Sequence, residues 1–146
     1  MFENQTILLV DDTEDDRIFM RAAFKKANLN WPLQEVHDGD EAIAYLKGDG
    51  PYRDRGTFRL PIVMLLDLNM PKKNGFEVLK WVRGQEQFRL LQIIILTAST
   101  RPDDVKQAYS MGANSFLVKP AAIEDLVKMV VCLRDWLQIN RFAPLN

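Results

Sequence analysis

Charged and hydroxyl side chains stand directly after four of the apolar runs in this sequence. They are Asp11 with Asp12, Asp67, Thr97 and Lys119. If the four runs are strands of one parallel sheet, their carboxyl ends meet at the same edge, where such sheets place their chemistry. The side chains would then lie around one crevice. Three carboxylates, one hydroxyl and one ammonium group in one crevice are suited to bind a cation and a phosphoryl group.

The three carboxylates at these positions predict a bound metal ion. Two carboxylates about 4 Å apart repel each other by roughly 4 kcal/mol at an effective dielectric constant of about 20. The one histidine, His37, and the one cysteine, Cys132, do not follow these runs directly. An all-oxygen ligand set favours a hard cation, Mg²⁺ before Ca²⁺. We therefore predict a Mg²⁺ site formed by Asp11, Asp12 and Asp67.

Asp67 is the candidate nucleophile. It follows the apolar residues 62–66, whose length predicts a fully buried strand of a parallel sheet. A carboxylate at the end of such a strand can attack phosphorus to give an acyl phosphate, with Thr97 and Lys119 beside the phosphoryl oxygens. A role as helix cap or loop residue would explain any one of these residues alone. Four strand ends in the same register favour a common site.

The elements that must position these residues alternate between strand and helix along the chain. Apolar runs predict strands at Thr6–Val10, 33–37, 62–66, 93–97 and Ser115–Val118. Caps and helical periodicity predict helices at 13–27, 39–46, 74–83, 102–111 and Ile123–Ile139. This order predicts an α/β fold, a doubly wound five-stranded parallel sheet with helices on both faces.

Residues 48–61 follow neither the strand period nor the helix period. They hold three of the seven glycines and two of the seven prolines. A loop of this length in a compact domain is usually functional or mobile. A tolerated surface insertion is the alternative.

Composition limits the class of protein. With 146 residues, 47% of them apolar and 27% charged, we expect one globular domain over residues 1–146 and no separate output domain. The net charge of −1 gives no general attraction to nucleic acid. The single cysteine, the polar residues 1–5 and the lack of a long apolar run predict a cytoplasmic protein that does not enter a membrane.

The strand-end motifs resemble those of the receiver domain of two-component response regulators. Residues 10–12 (VDD) resemble the acidic pair after the family's first strand, and residues 67–75 (DLNMPKKNG) match its D-x-x-M-P-x-x-x-G signature. Residues 96–98 (LTA) match its hydroxyl residue followed by a small one, and residues 119–120 (KP) match its lysine and proline. Residues 38–42 (DGDEA) resemble the D-G-x-E-A opening of its second helix.

The resemblance implies a phosphorylation pocket that binds Mg²⁺. Asp67 would accept a phosphoryl group from a histidine kinase. Asp12 would be a direct ligand of Mg²⁺ and Asp11 a ligand through water, together with Asp67 itself. Asn69 would contribute its backbone carbonyl.

The resemblance also assigns the groups around the phosphoryl oxygens. Thr97, the amide of Ala98 and Lys119 would bind these oxygens, with Asn69 beside them. The family's strand order, 2-1-3-4-5 as in flavodoxin-like folds, is expected as well. A cis bond between Lys119 and Pro120 is a further expectation, since proline makes the cis form accessible.

Phe116 occupies the switch position of the family, three residues before the lysine. Its ring would move inward when Thr97 approaches the phosphoryl group, and this would change the surface that partners bind. A plain core phenylalanine is the alternative.

The resemblance as a whole implies a signalling protein that catalyses its own phosphorylation and dephosphorylation. A degenerate receiver that only binds partners is the alternative function.

A narrower resemblance concerns stand-alone receivers that are paired with phytochrome-type histidine kinases. Tyr52-Arg53 in the long loop and the aromatic tail 136–145 carry this resemblance. It implies a phytochrome-type kinase as the partner.

Two other classes of protein fit the motifs less well. A flavodoxin-like nucleotide binder needs a loop rich in glycine and hydroxyl groups after its first strand, whereas residues 11–16 read DDTEDD. A haloacid-dehalogenase-type phosphatase needs a second acid two residues after its nucleophile, and Asn69 stands at this position.

The last predicted helix carries two apolar stripes. One stripe faces the sheet, and the other falls on the opposite face, where it predicts a homodimer. The second stripe consists of Met129, Cys132, Trp136 and Ile139. The alternative is that the aromatic tail folds back over its own helix.

Overall fold

Within residues 5–145, five parallel strands form a sheet that carries the predicted site at one edge. They are β1 (Thr6–Val10), β2 (Leu33–Val36), β3 (Pro61–Leu66), β4 (Gln92–Thr97) and β5 (Ser115–Val118). Their order is β2-β1-β3-β4-β5, and each neighbouring pair is parallel. The prediction of a doubly wound, flavodoxin-like sheet is confirmed.

The structure is a computed structural model that describes residues 5–145. Residues 1–4 and 146 lie outside the described residues. Most of the polar segment 1–5, on which the expectation of a cytoplasmic protein partly rests, is therefore not described.

Five α-helices cover the two faces of the sheet in the described part of the chain. They are α1 (Glu14–Lys26), α2 (Gly39–Lys47), α3 (Gly75–Gly84), α4 (Pro102–Ser110) and α5 (Ile123–Ile139), with one-turn 3₁₀ helices at Gly50–Tyr52 and Glu86–Phe88. Helices α1 and α5 pack on one face, and α2, α3 and α4 pack on the other. No helix within residues 5–145 is long and apolar enough to cross a membrane.

The central strands are buried on both faces, as their continuous apolar runs predict. In β1, Leu8 and Val10 belong to the core between the sheet and α2–α4. Ile7 and Leu9 belong to the core between the sheet and α1 with α5. All four side chains are at most 2% exposed. The strands therefore form a rigid frame for the residues at their carboxyl ends.

The long loop between α2 and β3 has a small core of its own. The rings of Tyr45, Tyr52 and Phe58 pack on one another with centroids 5.1 to 6.1 Å apart. Arg55 donates hydrogen bonds to the backbone carbonyls of Leu46 (2.7 Å) and Phe58 (3.0 Å). The loop is thus a folded segment. The sequence did not indicate this, because residues 48–61 follow neither the strand period nor the helix period.

The residues of the predicted second apolar stripe on α5 differ in their exposure. Cys132 is exposed and Ile139 is 82% exposed, whereas Met129 and Trp136 are half-buried. The ring of Trp136 meets that of Phe142 with centroids 5.5 Å apart and planes at 83°. The tail therefore folds back over Trp136, which is the stated alternative, while Cys132 and Ile139 stay on the surface.

Candidate functional site

Backbone hydrogen bonds extend the sheet by one residue past three of its strands and so fix the site residues. Asp11 donates its N–H to the last residue of β2 (3.2 Å), and Asp67 donates to the last residue of β1 (3.0 Å). Lys119 donates its backbone N–H to the carbonyl of Thr97 (2.8 Å). Asp11, Asp67 and Thr97 are all buried. The strands thus bring these residues to one crevice, as the sequence predicts.

Two glycines bring the starts of α2 and α3 against the loop that follows Asp67. A Cβ atom on Gly75 would lie 2.3 Å from the carbonyl oxygen of Asp67, and one on Gly39 would lie 2.3 Å from that of Lys73. Asn74 caps α3 in a capping box. The glycine of the signature is therefore required because only its missing side chain allows α3 to begin beside the nucleophile.

The ammonium group of Lys119 lies between three carboxylates. Its Nζ is 2.7 Å from Asp11 Oδ2, 2.8 Å from Asp16 Oδ2 and 2.9 Å from Asp67 Oδ2. Burial alone would lower the pKa of Lys119, but the hydrogen bonds to Asp11 and Asp16 and the charge of Asp67 outweigh it and raise this pKa. The lysine therefore remains positively charged and neutralises part of the cluster.

Asp11, Asp12 and Asp67 form the predicted carboxylate cluster, with one oxygen of each within 4.8 Å of the other two. Burial raises the pKa of Asp11, although hydrogen bonds from Lys119 and from a backbone N–H oppose the shift. Three carboxylates contact the ammonium group and that of Asp12 lies beside Asp11 and Asp67, so the excess negative charge favours a divalent cation. All-oxygen donors with one exposed member, Asp12, fit Mg²⁺, which keeps several waters when bound.

Groups that could bind phosphoryl oxygens lie at the end of β4 and after Asp67. Thr97 Oγ1 accepts the N–H of Ser99 at 3.4 Å. Ala98 is exposed, and within residues 5–145 no protein group accepts a hydrogen bond from its N–H. Asn69 is exposed, and its N–H donates to Asp67 Oδ1 at 3.2 Å. The amide of Ala98 is therefore available to a ligand oxygen.

Phe116, the predicted switch residue, lies on the edge strand β5 opposite Ile95. Its ring is half-buried against the core on the α2–α4 face. Its backbone N–H donates to the hydroxyl of Tyr109, on α4, at 3.1 Å. The predicted switch residue is thus tied to α4.

Asp16 belongs to the site, although the sequence motifs do not include it. It lies in the first turn of α1, four residues after Asp12. Because α1 begins at Glu14, Asp12 is outside the helix and helical spacing does not relate the two residues; the available signal was the acidic run at residues 11–16. Its contact with Lys119 depends on how α1 packs on the sheet.

The prediction of a cis bond between Lys119 and Pro120 is wrong. None of the peptide bonds between described residues is cis. The trans form of such a bond is favoured by about 0.5–1 kcal/mol, and Lys119 reaches the carboxylates with it.

Residues 7–131 match the response regulator receiver domain, and the chain belongs to this family. Receiver domains are phosphoacceptor signalling proteins of two-component systems that act with a histidine kinase. The strand order, the buried Asp67 and the acidic cluster of this chain are those expected of a receiver domain.

Three similar proteins are informative. Response regulator Rcp1 of Synechocystis sp. is 33% identical over 135 residues, which cover 92% of this chain and 90% of Rcp1. Probable methanogenesis regulatory protein FilR2 of Methanothrix harundinacea is 36% identical over 136 residues, which cover 92% of this chain and 85% of FilR2. The phosphorylated cyanobacterial phytochrome response regulator RcpA is 29% identical in sequence to this chain. Its crystal structure has a TM-score of 0.85 to this chain and covers 97% of this chain and 98% of RcpA.

A structure of Rcp1 contains bound Mn²⁺ and has a TM-score of 0.85 to this chain, at 32% identity, over 96% of this chain and 99% of Rcp1. The chain is therefore a receiver domain homologous to Rcp1 and RcpA. Its aspartate cluster fits a phosphoacceptor site with Mg²⁺.

Proposed function

We propose that this protein is a response regulator that accepts a phosphoryl group on Asp67 from a histidine kinase and then changes the surface that partners bind. The proposal rests on the buried Asp67 carboxylate, which lies 2.9 Å from Lys119 Nζ and within 4.8 Å of oxygens of Asp11 and Asp12. Since a nucleophile, an ammonium group and metal-binding carboxylates occur together, a receiver that only binds partners is disfavoured.

The proposed reaction is phosphoryl transfer from a phosphohistidine. An oxygen of Asp67 attacks phosphorus, the O–P bond forms as the P–N bond breaks, and the imidazole nitrogen leaves with the electron pair. Asp11, Asp12, Asp67 and the carbonyl of Asn69 would hold Mg²⁺, which would supply positive charge for the phosphoryl oxygens. A carboxylate nucleophile needs no general base, because it has no proton to lose when it attacks.

Three further groups of the chain would bind the charge that develops on the phosphoryl oxygens. Lys119 supplies an ammonium group, Ala98 a backbone N–H, and Thr97 a hydroxyl at the end of a buried strand. The same groups would serve dephosphorylation, in which water attacks phosphorus and Asp67 leaves as a carboxylate. The protein would thus catalyse both the gain and the loss of its own phosphoryl group.

Thr97 and Phe116 would carry the response to phosphorylation. When Thr97 Oγ1 turns toward a phosphoryl oxygen, it gives up the N–H of Ser99 that it accepts in this structure. The ring of Phe116 can then move inward, because a phenylalanine needs no hydrogen-bond partner in an apolar slot. Tyr109 would pass this movement to α4.

A phytochrome-type histidine kinase is the proposed partner. The support is the similarity to RcpA, which is a phytochrome response regulator, together with the Tyr52-Arg53 loop. FilR2 is named for methanogenesis, so the kinase class needs its own test.

Because a histidine kinase consumes ATP, we place the reaction in the cytoplasm. We also propose that residues 1–146 form one receiver domain.

The experiment is phosphotransfer from purified, autophosphorylated kinases in the presence of Mg²⁺. We expect fast transfer from a phytochrome-type kinase, slow transfer from a chemotaxis kinase, and none after Mg²⁺ is chelated. Equal rates from both kinases would contradict the phytochrome pairing. Absence of transfer from both kinases and from acetyl phosphate would contradict the phosphoacceptor role itself.

We also propose a homodimer through the exposed part of α5. Cys132 and Ile139 leave an apolar patch beside the half-buried Met129 and Trp136. A patch of this kind on a two-fold axis would be covered by the same patch of a second copy.

A further inference from the structure

Lys119 has one partner that the proposed phosphorylation reaction does not use. An ammonium group has three N–H donors, and in this structure carboxylates of Asp11, Asp16 and Asp67 lie within 2.9 Å of it. Asp67 is the nucleophile, and Asp11 belongs to the metal-binding cluster. Asp16 has neither role, so its interaction with Lys119 needs an explanation of its own.

Asp16 lies on the lysine side of the crevice. Among the described residues it is not part of the carboxylate trio that could hold a metal ion, whereas Asp12 is part of it and makes no ion pair with Lys119. The side chain of Asp16 is 38% exposed, against 4% for Asp11 and 7% for Asp67. Asp16 is therefore the most exposed of the three carboxylates that contact the ammonium group.

The ammonium group of Lys119 is held by charged partners and has open space beside it. A small cavity of about 60 Å³ adjoins Lys119, and apolar side chains of α1 and α5 form much of its wall. These include Phe19, Met20 and Leu126. The cavity leaves room beside the lysine side chain, and the three carboxylates are the hydrogen-bond partners of its Nζ.

We propose that Asp16 is a positioning residue that holds Lys119 in its unphosphorylated position and competes with the phosphoryl group for the ammonium group. This inference rests on the proposed function. When Asp67 becomes an acyl phosphate, Lys119 must turn one N–H from the Asp67 carboxylate to a phosphoryl oxygen. The carboxylate of Asp16 retains the ammonium group and also repels the phosphoryl oxygens. Asp16 thus favours the unphosphorylated form.

The test compares Asp16→Asn with Asp15→Asn, which is a matched control. Both residues lie in the acidic first turn of α1, so both variants lose the same charge at the same helix end. Asp15 is exposed and is not a partner of Lys119. The probe is beryllofluoride, an analogue of the phosphoryl group, titrated at saturating Mg²⁺ and followed by fluorine NMR of the bound form.

We expect Asp16→Asn to bind beryllofluoride more tightly than the wild type, by roughly three- to ten-fold. Asp15→Asn should bind as the wild type does, and Asp16→Glu should restore wild-type affinity. Equal affinities of Asp16→Asn and Asp15→Asn, or weaker binding by Asp16→Asn, would overturn the role of Asp16. A wild-type protein that binds no beryllofluoride would instead overturn the proposed phosphoacceptor function, so the two failures are distinguishable.

Discussion

The hydroxyl of Tyr109 accepts a hydrogen bond from the backbone N–H of Phe116 at 3.1 Å, which joins α4 to the edge strand β5. The N–H groups on the outer side of an edge strand have no strand partner. A side chain of α4 therefore takes the place of a neighbouring strand at the residue proposed as the switch. The position of α4 and the position of β5 are coupled at this point.

Tyr109→Phe should remove this coupling while it keeps the ring. Because the bond is exposed and water can replace the hydroxyl, the free energy of unfolding should fall by only about 0.5–1 kcal/mol, measured by urea unfolding. The amide signal of Phe116 in NMR spectra should shift, and phosphorylation of Asp67 should persist. Tyr52→Phe, which removes a hydroxyl bonded to Glu41, is the control and should leave that signal unchanged. Loss of phosphorylation in Tyr109→Phe would show that α4 also supports the pocket.

The raised pKa of Asp11 and its place in the carboxylate cluster predict that stability depends on pH and on bound metal. Burial raises the pKa of Asp11, so ionisation of this carboxyl is less favourable in the folded state than in the unfolded chain. Stability therefore falls as the pH rises from the unfolded value of 3.8 through the raised pKa. Without Mg²⁺, Asp11→Asn should raise the free energy of unfolding at neutral pH by on the order of 1 kcal/mol, or about 2–4 °C in Tm.

The gain in Asp11→Asn should disappear at pH values below the unfolded pKa. It should reverse in saturating Mg²⁺, because the wild type is then stabilised by its ligand. Asp15→Asn, which neutralises an exposed carboxylate nearby, should show neither effect. Thermal unfolding at several pH values, with and without Mg²⁺, measures these differences. A lower Tm of Asp11→Asn at neutral pH in the absence of metal would refute the cost assigned to the buried carboxylate.

The strand ends of the site could be predicted from the sequence. Buried parallel strands are continuous apolar runs, so the residues that follow them, such as Asp67 and Lys119, are recognised by position alone. The parallel order of the sheet then places all these strand ends on the same side. The backbone bonds that fix Asp67 and Lys119 belong to that sheet.

Contacts made by helices could not be predicted in the same way. Asp16 and Lys119 are 103 positions apart, and their contact depends on the rotation of α1 relative to the sheet. The burial of Trp136 likewise depends on the path of the tail that brings Phe142 onto it. Helical periodicity indicates which residues share a face, but not what covers that face.

The lifetime of the phosphoryl group is predicted to be intermediate to long. Asn69 and Ser99 lie two residues beyond Asp67 and Thr97, and neither is acidic, so neither is an efficient general base. The hydroxyl of Ser99 is also engaged, since its Oγ lies 2.5 Å from Asp104 Oδ2. We expect Asn69→Asp to shorten the half-life roughly ten-fold, because a carboxylate can take a proton from the attacking water.

Loss of radioactive label after the donor is removed measures this half-life. Ser99→Ala is the control, because it removes a hydroxyl that is already bonded within the protein, and its half-life should match that of the wild type. If substitutions at both positions leave the rate unchanged, another group governs it.

The proposed dimer is best tested at Ile139, which is 82% exposed. Trp136→Glu would also break the contact of Trp136 with Phe142 within the same chain, so it would confuse folding with association. We expect a wild-type dimer at tens of micromolar in analytical ultracentrifugation and a monomer for Ile139→Glu, because a buried charge without a partner opposes association. Val118→Glu, at an exposed position of β5, is the control and should remain dimeric. A wild-type monomer at that concentration would rule out the proposal.

The most direct test of the account is the location of the phosphoryl group after incubation with Mg²⁺ and acetyl phosphate. Borohydride reduction of the acyl phosphate, followed by tandem mass spectrometry of the peptides, identifies the modified carboxyl. We predict one base-labile phosphoryl group per chain, located on Asp67, and none on Asp67→Asn, because an amide is not a nucleophile toward phosphorus. A label of the same stoichiometry and base lability on Asp67→Asn would contradict the assignment of Asp67 as the acceptor.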